Sequence, residues 1–154
     1  MKRKTFTGFL IAAVWLFGGH AVCAEWLVTP KEAADSAAQY KKYPGMSSKA
    51  MPVSGAPEIR LVKPSISAVV KTPVDIQLFF HSQDGAGIAP SSFRVLYGFF
   101  GVDITSRILK YGVPTEDGIK VNHAELPRGD HHLVVQVADK RQRQGQTEID
   151  FQVD

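Results

Sequence analysis

From Pro57 to the C-terminus, apolar side chains recur at every second position, the period of strands with one buried face. Ile59 and Leu61 alternate with Glu58 and Arg60, and Val74, Ile76, Leu78 and Phe80 alternate with Asp75, Gln77, Phe79 and His81. Phe93, Val95 and Tyr97 alternate with Arg94 and Leu96, and Ile119 and Val121 with Lys120 and Asn122. His131, Leu133, Val135 and Val137 share one face against His132, Val134, Gln136 and Ala138; Ile149, Phe151 and Val153 alternate with the acids Glu148, Asp150 and Asp154. Short strands around Val102–Thr105 and Ile108–Tyr111 complete the expected set. Turn residues punctuate these runs at Asp84 to Gly87, Gly112 to Pro114, Asp117-Gly118, Pro127 to Gly129 and Gly145. About seven strands in roughly 100 residues predict an all-β domain over 57–154, two antiparallel sheets packed face to face, with a small closed barrel as the alternative. No segment between the strands is long enough for a parallel crossover.

Ahead of this region the period changes. Thr29-Pro30-Lys31-Glu32 has the form of a helix start: threonine can cap the N–H of Glu32, proline suits the first turn, and Glu32 can reach back. Ala33, Ala34, Ala37 and Ala38 favour helix, Lys41 and Lys42 suit its C-terminal end, and Pro44-Gly45 stops it. A helical segment is therefore expected within 25–43, about three turns long and too short to stand alone in water. Residues 44–56, rich in Pro, Gly, Ser and Ala, read as a linker.

Residues 1–24 have the pattern of a secretory signal peptide: Lys2, Arg3 and Lys4, then the apolar run Phe9 to Phe17, then Val22-Cys23-Ala24 as a cleavage site. The run is about half the ~20 residues a spanning helix needs, which argues against a retained anchor. Val22 and His20 stand where a lipidation site needs a small and an aliphatic residue, so Cys23 is expected to leave with the peptide. The expected mature chain begins at Glu25 and resides in the periplasm or outside the cell. Charge follows from this division. Three of the 18 basic residues are Lys2, Arg3 and Lys4, and without them basic and acidic side chains balance at 15 each. The basic isoelectric point thus points to no nucleic-acid partner. No cysteine remains for a disulfide, so the core must hold by packing alone.

The run Leu126-Pro127-Arg128-Gly129-Asp130-His131-His132-Leu133-Val134-Val135-Gln136-Val137-Ala138-Asp139 resembles the late E–F corner and F strand of bacterial immunoglobulin-like domains, including the cadherin-like and fibronectin type III-like domains of exported proteins. Ile88 to Val95, followed by Val102-Asp103-Ile104-Thr105, is similar to their loop into strand C and their C–C′ turn. The resemblance covers 57–154. It implies an immunoglobulin-like sandwich with His131 as the first inward residue after a Leu-Pro-x-Gly corner; it implies little about function, because the fold hosts many roles. Relatives that bind calcium carry acids or a Gly-Asn turn after the F strand. Here Lys140-Arg141-Gln142-Arg143-Gln144 follows, so no calcium site is carried over.

Candidate chemistry is sparse. His81 and His123 end neighbouring antiparallel strands and lie at opposite ends of the sheet, and His131 and His132 point to opposite faces; no metal site is expected. His131 is expected as a half-buried corner residue bonded to nearby backbone, and the other three histidines as exposed. No Gly-x-Ser-x-Gly elbow is present, Asp84-Gly85-Ala86-Gly87 lacks the helix a phosphate loop needs, and Asp103 with Glu116 or Asp117 reads as turn acids. No catalytic set and no cofactor are therefore expected. Two surface features stand out as binding candidates. Lys140, Arg141 and Arg143 form a basic loop tip suited to an anionic polymer or acidic partner. Phe79 faces away from the core, Phe99 and Phe100 cannot both point inward, and either could join Tyr111 in an aromatic patch unless the segment at Trp26, Leu27 and Val28 and its helix cover it. The expected function is a non-catalytic interaction module of the cell envelope, accessory or adhesin-like; the alternative is a carbohydrate-binding module using surface aromatics.

Overall fold

A computed structural model describes residues 26–46, 53–66 and 68–154. The expected signal peptide, Glu25 and residues 47–52 of the expected linker lie outside these residues. Helix α1 spans Pro30–Lys42, and seven strands follow: β1 Glu58–Lys63, β2 Val74–His81, β3 Ile88–Tyr97, β4 Val102–Asp103, β5 Gly118–Ala124, β6 Gly129–Asp139 and β7 Gln144–Val153. One sheet has the order β1-β2-β5 and the other β4-β3-β6-β7, with every pairing between strands antiparallel. The chain is an all-β sandwich with a helix laid against one face.

The period-two pattern works as expected. Val74, Ile76, Leu78 and Phe80 are buried, while Asp75, Phe79 and His81 are exposed. Across the interlayer, Ile59, Ile119 and Val121 join them against Phe93, Val95, Tyr97, Leu133, Val135, Val137, Ile149 and Phe151 in one apolar cluster. Each such side chain contributes about 1.5–3 kcal/mol by leaving water. One side of the sandwich is closed by the β1–β2 connection. Val70 donates its N–H to Gln152 (2.8 Å) and accepts from Asp154 (2.9 Å), bridging to the end of β7.

Three local expectations need correction. No strand forms at Ile108–Tyr111; β4 is two residues long and a single helical turn, α2 (Thr105–Ile108), follows it. The cause lies in two side chains that replace ladder partners: Asp103 Oδ1 accepts from the N–H of Thr105 (2.9 Å), and Thr105 Oγ1 accepts from the N–H of Val95 (2.9 Å). Strand β3 begins at Ile88, ahead of the expected loop. Its register shifts between Ala89 and Arg94, where the Ser92 hydroxyl accepts from Ala138 N–H (2.7 Å) and donates to Ala89 C=O (2.6 Å). Gly145 is not a turn residue but sits inside β7, opposite Val137. A Cβ there would lie 2.0 Å from the carbonyl oxygen of Pro57, so glycine is required by close approach of the chain entering β1.

Helix α1 starts with the expected capping box: Thr29 Oγ1 accepts from Glu32 N–H (3.2 Å) and Glu32 Oε2 accepts from Thr29 N–H (2.9 Å). The same carboxylate makes a two-armed pair with Arg107 of α2, each arm 2.8 Å, and Arg107 also donates to Leu27 C=O (3.3 Å). Leu27 and Val28, expected as an exposed cluster in the absence of docking, are fully buried, and Leu27 N–H bonds to Glu125 C=O (2.9 Å). Trp26 stays partly exposed. Further along α1, Ser36 Oγ accepts from Phe99 N–H (3.1 Å), and Gly98, at φ 69°, leaves room for it: a Cβ would lie 2.6 Å from that oxygen.

The Arg107 guanidinium holds the Glu32 carboxyl down at about 2; burial works against this, and the contacts from Thr29 assist. A carboxyl lowered on folding adds stability that is complete above its unfolded value of 4.5 and is lost as pH falls toward 2. With both side chains still partly solvated, the pair is worth about 1–2 kcal/mol after screening. Arg107→Ala is expected to lower unfolding free energy at pH 7 by that amount and to remove the matching part of the acid titration between pH 4.5 and 2. Denaturant melts across this range measure both; an unchanged acid slope would contradict the latch.

Candidate functional site

The binding candidates named from sequence lie in separate parts of the molecule. Phe79 is exposed on the outer face of the β1-β2-β5 sheet. Phe99 lies in the β3–β4 turn beneath α1, with its ring 5.4 Å from Tyr40 and stacked 5.7 Å from Tyr43. Phe100 is exposed beside it, and Tyr111 packs against the core. The helix therefore covers the aromatic turn.

The basic loop is a hairpin tip built around a buried acid. Asp139, 2 % exposed, accepts from Arg141 N–H (2.8 Å), Arg143 N–H (2.9 Å) and Arg143 Nε (2.7 Å). Burial pushes its carboxyl up, but the bonds from Arg143 and Arg141 outweigh this and hold it below the ordinary value. Arg143 also pairs with Asp84 (2.7 Å), Lys140 pairs with Glu116 (2.5 Å), and Arg141 lies 4.0 Å from Asp84. Each of the three cations faces a carboxylate of this chain.

Two histidines occupy buried positions. His131, expected half-buried, is fully buried at 2 % exposed, and it bonds to nearby backbone as expected: Nε2 is 2.7 Å from Pro127 C=O and Nδ1 is 3.0 Å from the Tyr97 hydroxyl. A carbonyl only accepts, so Nε2 carries the proton and the Tyr97 hydroxyl donates to Nδ1. Burial lowers the His131 pKa below its ordinary value; the Pro127 bond and the Asp130 charge oppose this in part. Burial also pushes the Tyr97 hydroxyl up to about 12, assisted by the charges of Glu32 and Tyr40. His132, expected to be exposed, is buried because α1 lies over the outer face of β6: Tyr40 packs edge-on against its ring at 5.4 Å. Its Nδ1 is 2.5 Å from Asp150 Oδ1, its partner across the β6–β7 ladder. His81 and His123 are exposed at opposite ends of the β2–β5 pair, as expected.

Between α1 and strands β6 and β7 runs a cleft of about 520 Å³ lined by Tyr40, Lys41, Asp130, His132, Asp150 and Phe151, among others. Burial raises the Tyr40 hydroxyl above its ordinary pKa, and the carboxylates of Asp150 and Glu148 push the same way. A second surface lies elsewhere. Val113 borders two concavities, one shared with Phe79 and Ile119, the other with Leu109, Pro90 and Pro114. Val113 is 77 % exposed, Leu109 44 % and Phe79 43 %, so three exposed apolar side chains border the two concavities that share Val113, an apolar strip interrupted on the sheet side by Gln77, Thr115, Asp117 and Lys120.

Of these residues, only Phe79 was singled out from sequence. The loop apolars Leu109 and Val113 carry no periodic signal, and Tyr40 and Asp150 become neighbours only when the helix docks. The His132–Asp150 pair did leave a trace, since a hairpin turning at 140–143 sets those two positions opposite each other. No cluster of three or more potential metal ligands occurs among the described residues, and no helix among them is long and apolar enough to cross a membrane. The chain matches no known protein-family model and no curated protein sequence.

Proposed function

We propose that this chain is an exported, non-catalytic interaction module of the cell envelope, an immunoglobulin-like sandwich that binds a protein partner through the apolar strip centred on Val113. The observation that carries this reading is the strip itself. Exposed apolar side chains scattered singly are ordinary, whereas several gathered around a sheet edge mark contact surfaces. The loop that bears Val113 and Leu109 is held in place by α2 and by the Thr115–Gly118 hydrogen bond (2.8 Å), so the surface is preformed. The immunoglobulin-like assignment draws support from the three-plus-four sheet order and from the His131 side chain that ties the corner to Pro127. Export rests on the pattern Lys2 to Ala24 alone. The carbohydrate alternative needs a flat row of aromatics, whereas Phe79 lies on the outer face of the β1-β2-β5 sheet and Phe99 and Phe100 meet edge-on at 5.4 Å beside α1.

Leu109→Glu combined with Val113→Glu places two charges on the strip without touching the sheet ladders. Retention of envelope proteins on the immobilised variant is expected to fall about tenfold or more, with unchanged circular dichroism. Equal retention by wild type and variant would remove this surface from the reading.

A further inference from the structure

The β3–β4 turn carries an exposed apolar surface of its own, and it is aromatic. It reads Gly98-Phe99-Phe100-Gly101, two phenylalanines between glycines at φ 69° and 61°. Ring contacts tie it to the end of α1: Phe99 meets Tyr40 at 5.4 Å, stacks on Tyr43 at 5.7 Å and meets Phe100 edge-on at 5.4 Å. The rings therefore form one connected cluster, not side chains scattered singly. Phe100 is 67 % exposed, and Tyr43, Met46 and Val102 are exposed as well. Met46 N–H bonds to Tyr43 C=O (3.4 Å), which keeps those two residues in one turn. Lys41 and Lys42 end the helix beside the cluster, with Lys42 Nζ 5.3 Å from the Tyr43 ring centre. The acids on this side are already engaged: Glu32 by Arg107, Asp35 by Lys31 and Asp103 by Arg94. Lys41 also faces the cleft that holds Asp130 and Asp150, so Lys42 supplies more of the uncompensated charge.

Shape decides the kind of partner. The concavity beside Phe99 and Phe100 holds about 100 Å³, against about 300 Å³ or more for a pocket that receives a ligand. The rings project outward and offer no socket. Projecting apolar tips with lysine behind them match a bilayer surface, where rings and thioethers enter among the headgroups and lysine stems reach lipid phosphates. We infer that the β3–β4 turn and the end of α1 dock on an anionic lipid bilayer. Phe100 and Met46 enter the interface, Tyr43 lies at headgroup level, and Lys42 meets the phosphates. This surface is separate from the apolar strip, whose two concavities share no residue with the one at Phe100.

The test is co-sedimentation with vesicles of phosphatidylcholine and phosphatidylglycerol in equal parts, and with vesicles of phosphatidylcholine alone. The chain from Glu25 is used, because it holds every described element and lacks the apolar run Phe9 to Phe17, which would enter lipid by itself. Half the protein is expected on the mixed vesicles at about 1 mM accessible lipid or less, and less on the neutral ones. Phe100→Ser with Met46→Ser should lower the partition about tenfold or more, with unchanged circular dichroism because both side chains are exposed. Lys41→Gln with Lys42→Gln should lower it a few fold, and high salt should do the same. Phe100→Trp gives an independent reading, since Trp26 is the one other tryptophan from Glu25 onward. Its emission should shift to the blue on mixed vesicles and be quenched by lipids brominated in the acyl chain. No partition at about 1 mM lipid, equal partition of the double serine variant, or an unquenched Phe100→Trp overturns the inference. Loss of detergent-solubilised envelope proteins from the serine variant, with wild type indifferent to vesicles, overturns it in favour of a protein partner. Leu109→Glu with Val113→Glu should leave vesicle partition unchanged, so failure here and failure of the apolar strip are separable.

Discussion

Removal of residues 26–43 is expected to destabilise the sandwich by about 5 kcal/mol or more, enough to leave a domain of this size at the edge of folding. The physical reason is that the segment completes the core. Leu27 and Val28 are fully buried, and Ala33 is nearly so. Behind them lie Ile104, Ile108, Ala124 and Leu126, all within the buried set. Leaving that surface open loses both the transfer free energy of the missing side chains and the contacts of those that remain. Leu27→Ala isolates one share of the effect and should cost about 3 kcal/mol. Urea melts give the free energies, and binding of an apolar dye should rise in the truncated chain. A truncated protein that melts cooperatively at the wild-type midpoint would mean the helix is an appendage. The interaction is reciprocal: a 13-residue helix is too short to persist unaided, so its capping box and its alanines acquire a fixed structure only on the sheet.

His131→Phe is expected to lower stability by about 2 kcal/mol at neutral pH and to flatten its dependence on acid. In the wild type the ring is buried and stacked 5.5 Å from Phe151, and it links Pro127 to Tyr97. Phenylalanine keeps the ring but leaves the Pro127 carbonyl and the Tyr97 hydroxyl without their partner. The sign of the pH effect follows from the lowered native pKa. Above the ordinary value of 6.5 the imidazole is neutral in both states, and stability is complete. As pH falls below 6.5 the unfolded chain takes up the proton first, so stability declines until the native pKa is passed, by at most about 1.4 kcal/mol per pH unit from this group. Comparing denaturant midpoints of wild type and variant from pH 7.5 to 5 separates His131 from the other histidines. Parallel curves would show that the native ring titrates as it does in the unfolded chain.

The depth to which each element was legible in the sequence tracks how local its causes are. The strands with clean alternation, β2 and β7 above all, needed only a sheet with one wet face, and the capping box at Thr29 and Glu32 needed only four residues. Where a side chain took over a backbone role, the pattern misled. Thr105 and Ser92 replace ladder partners, so β4 was shortened, a helical turn replaced the strand expected at Ile108–Tyr111, and β3 began earlier than its turn-like composition suggested. His132 and Val134 read as an outer, wetter face. Both are buried, and His132 is covered because α1 arrives from far away in sequence to set Tyr40 against its ring.

Sequence alone determined the all-β class, the inner face of each long strand, the extent of α1 and the corner position of His131, because each depends on neighbours within one strand or one turn. Tertiary structure alone decided that the helix docks, that Glu32 meets Arg107, that the basic loop spends its charge on Asp139, Asp84 and Glu116, and that Tyr40 roofs a cleft with acids on its rim. Those contacts join residues far apart along the chain. Local propensity carries no information about such distant pairings; only the packing of the two sheets brings them within hydrogen-bond reach.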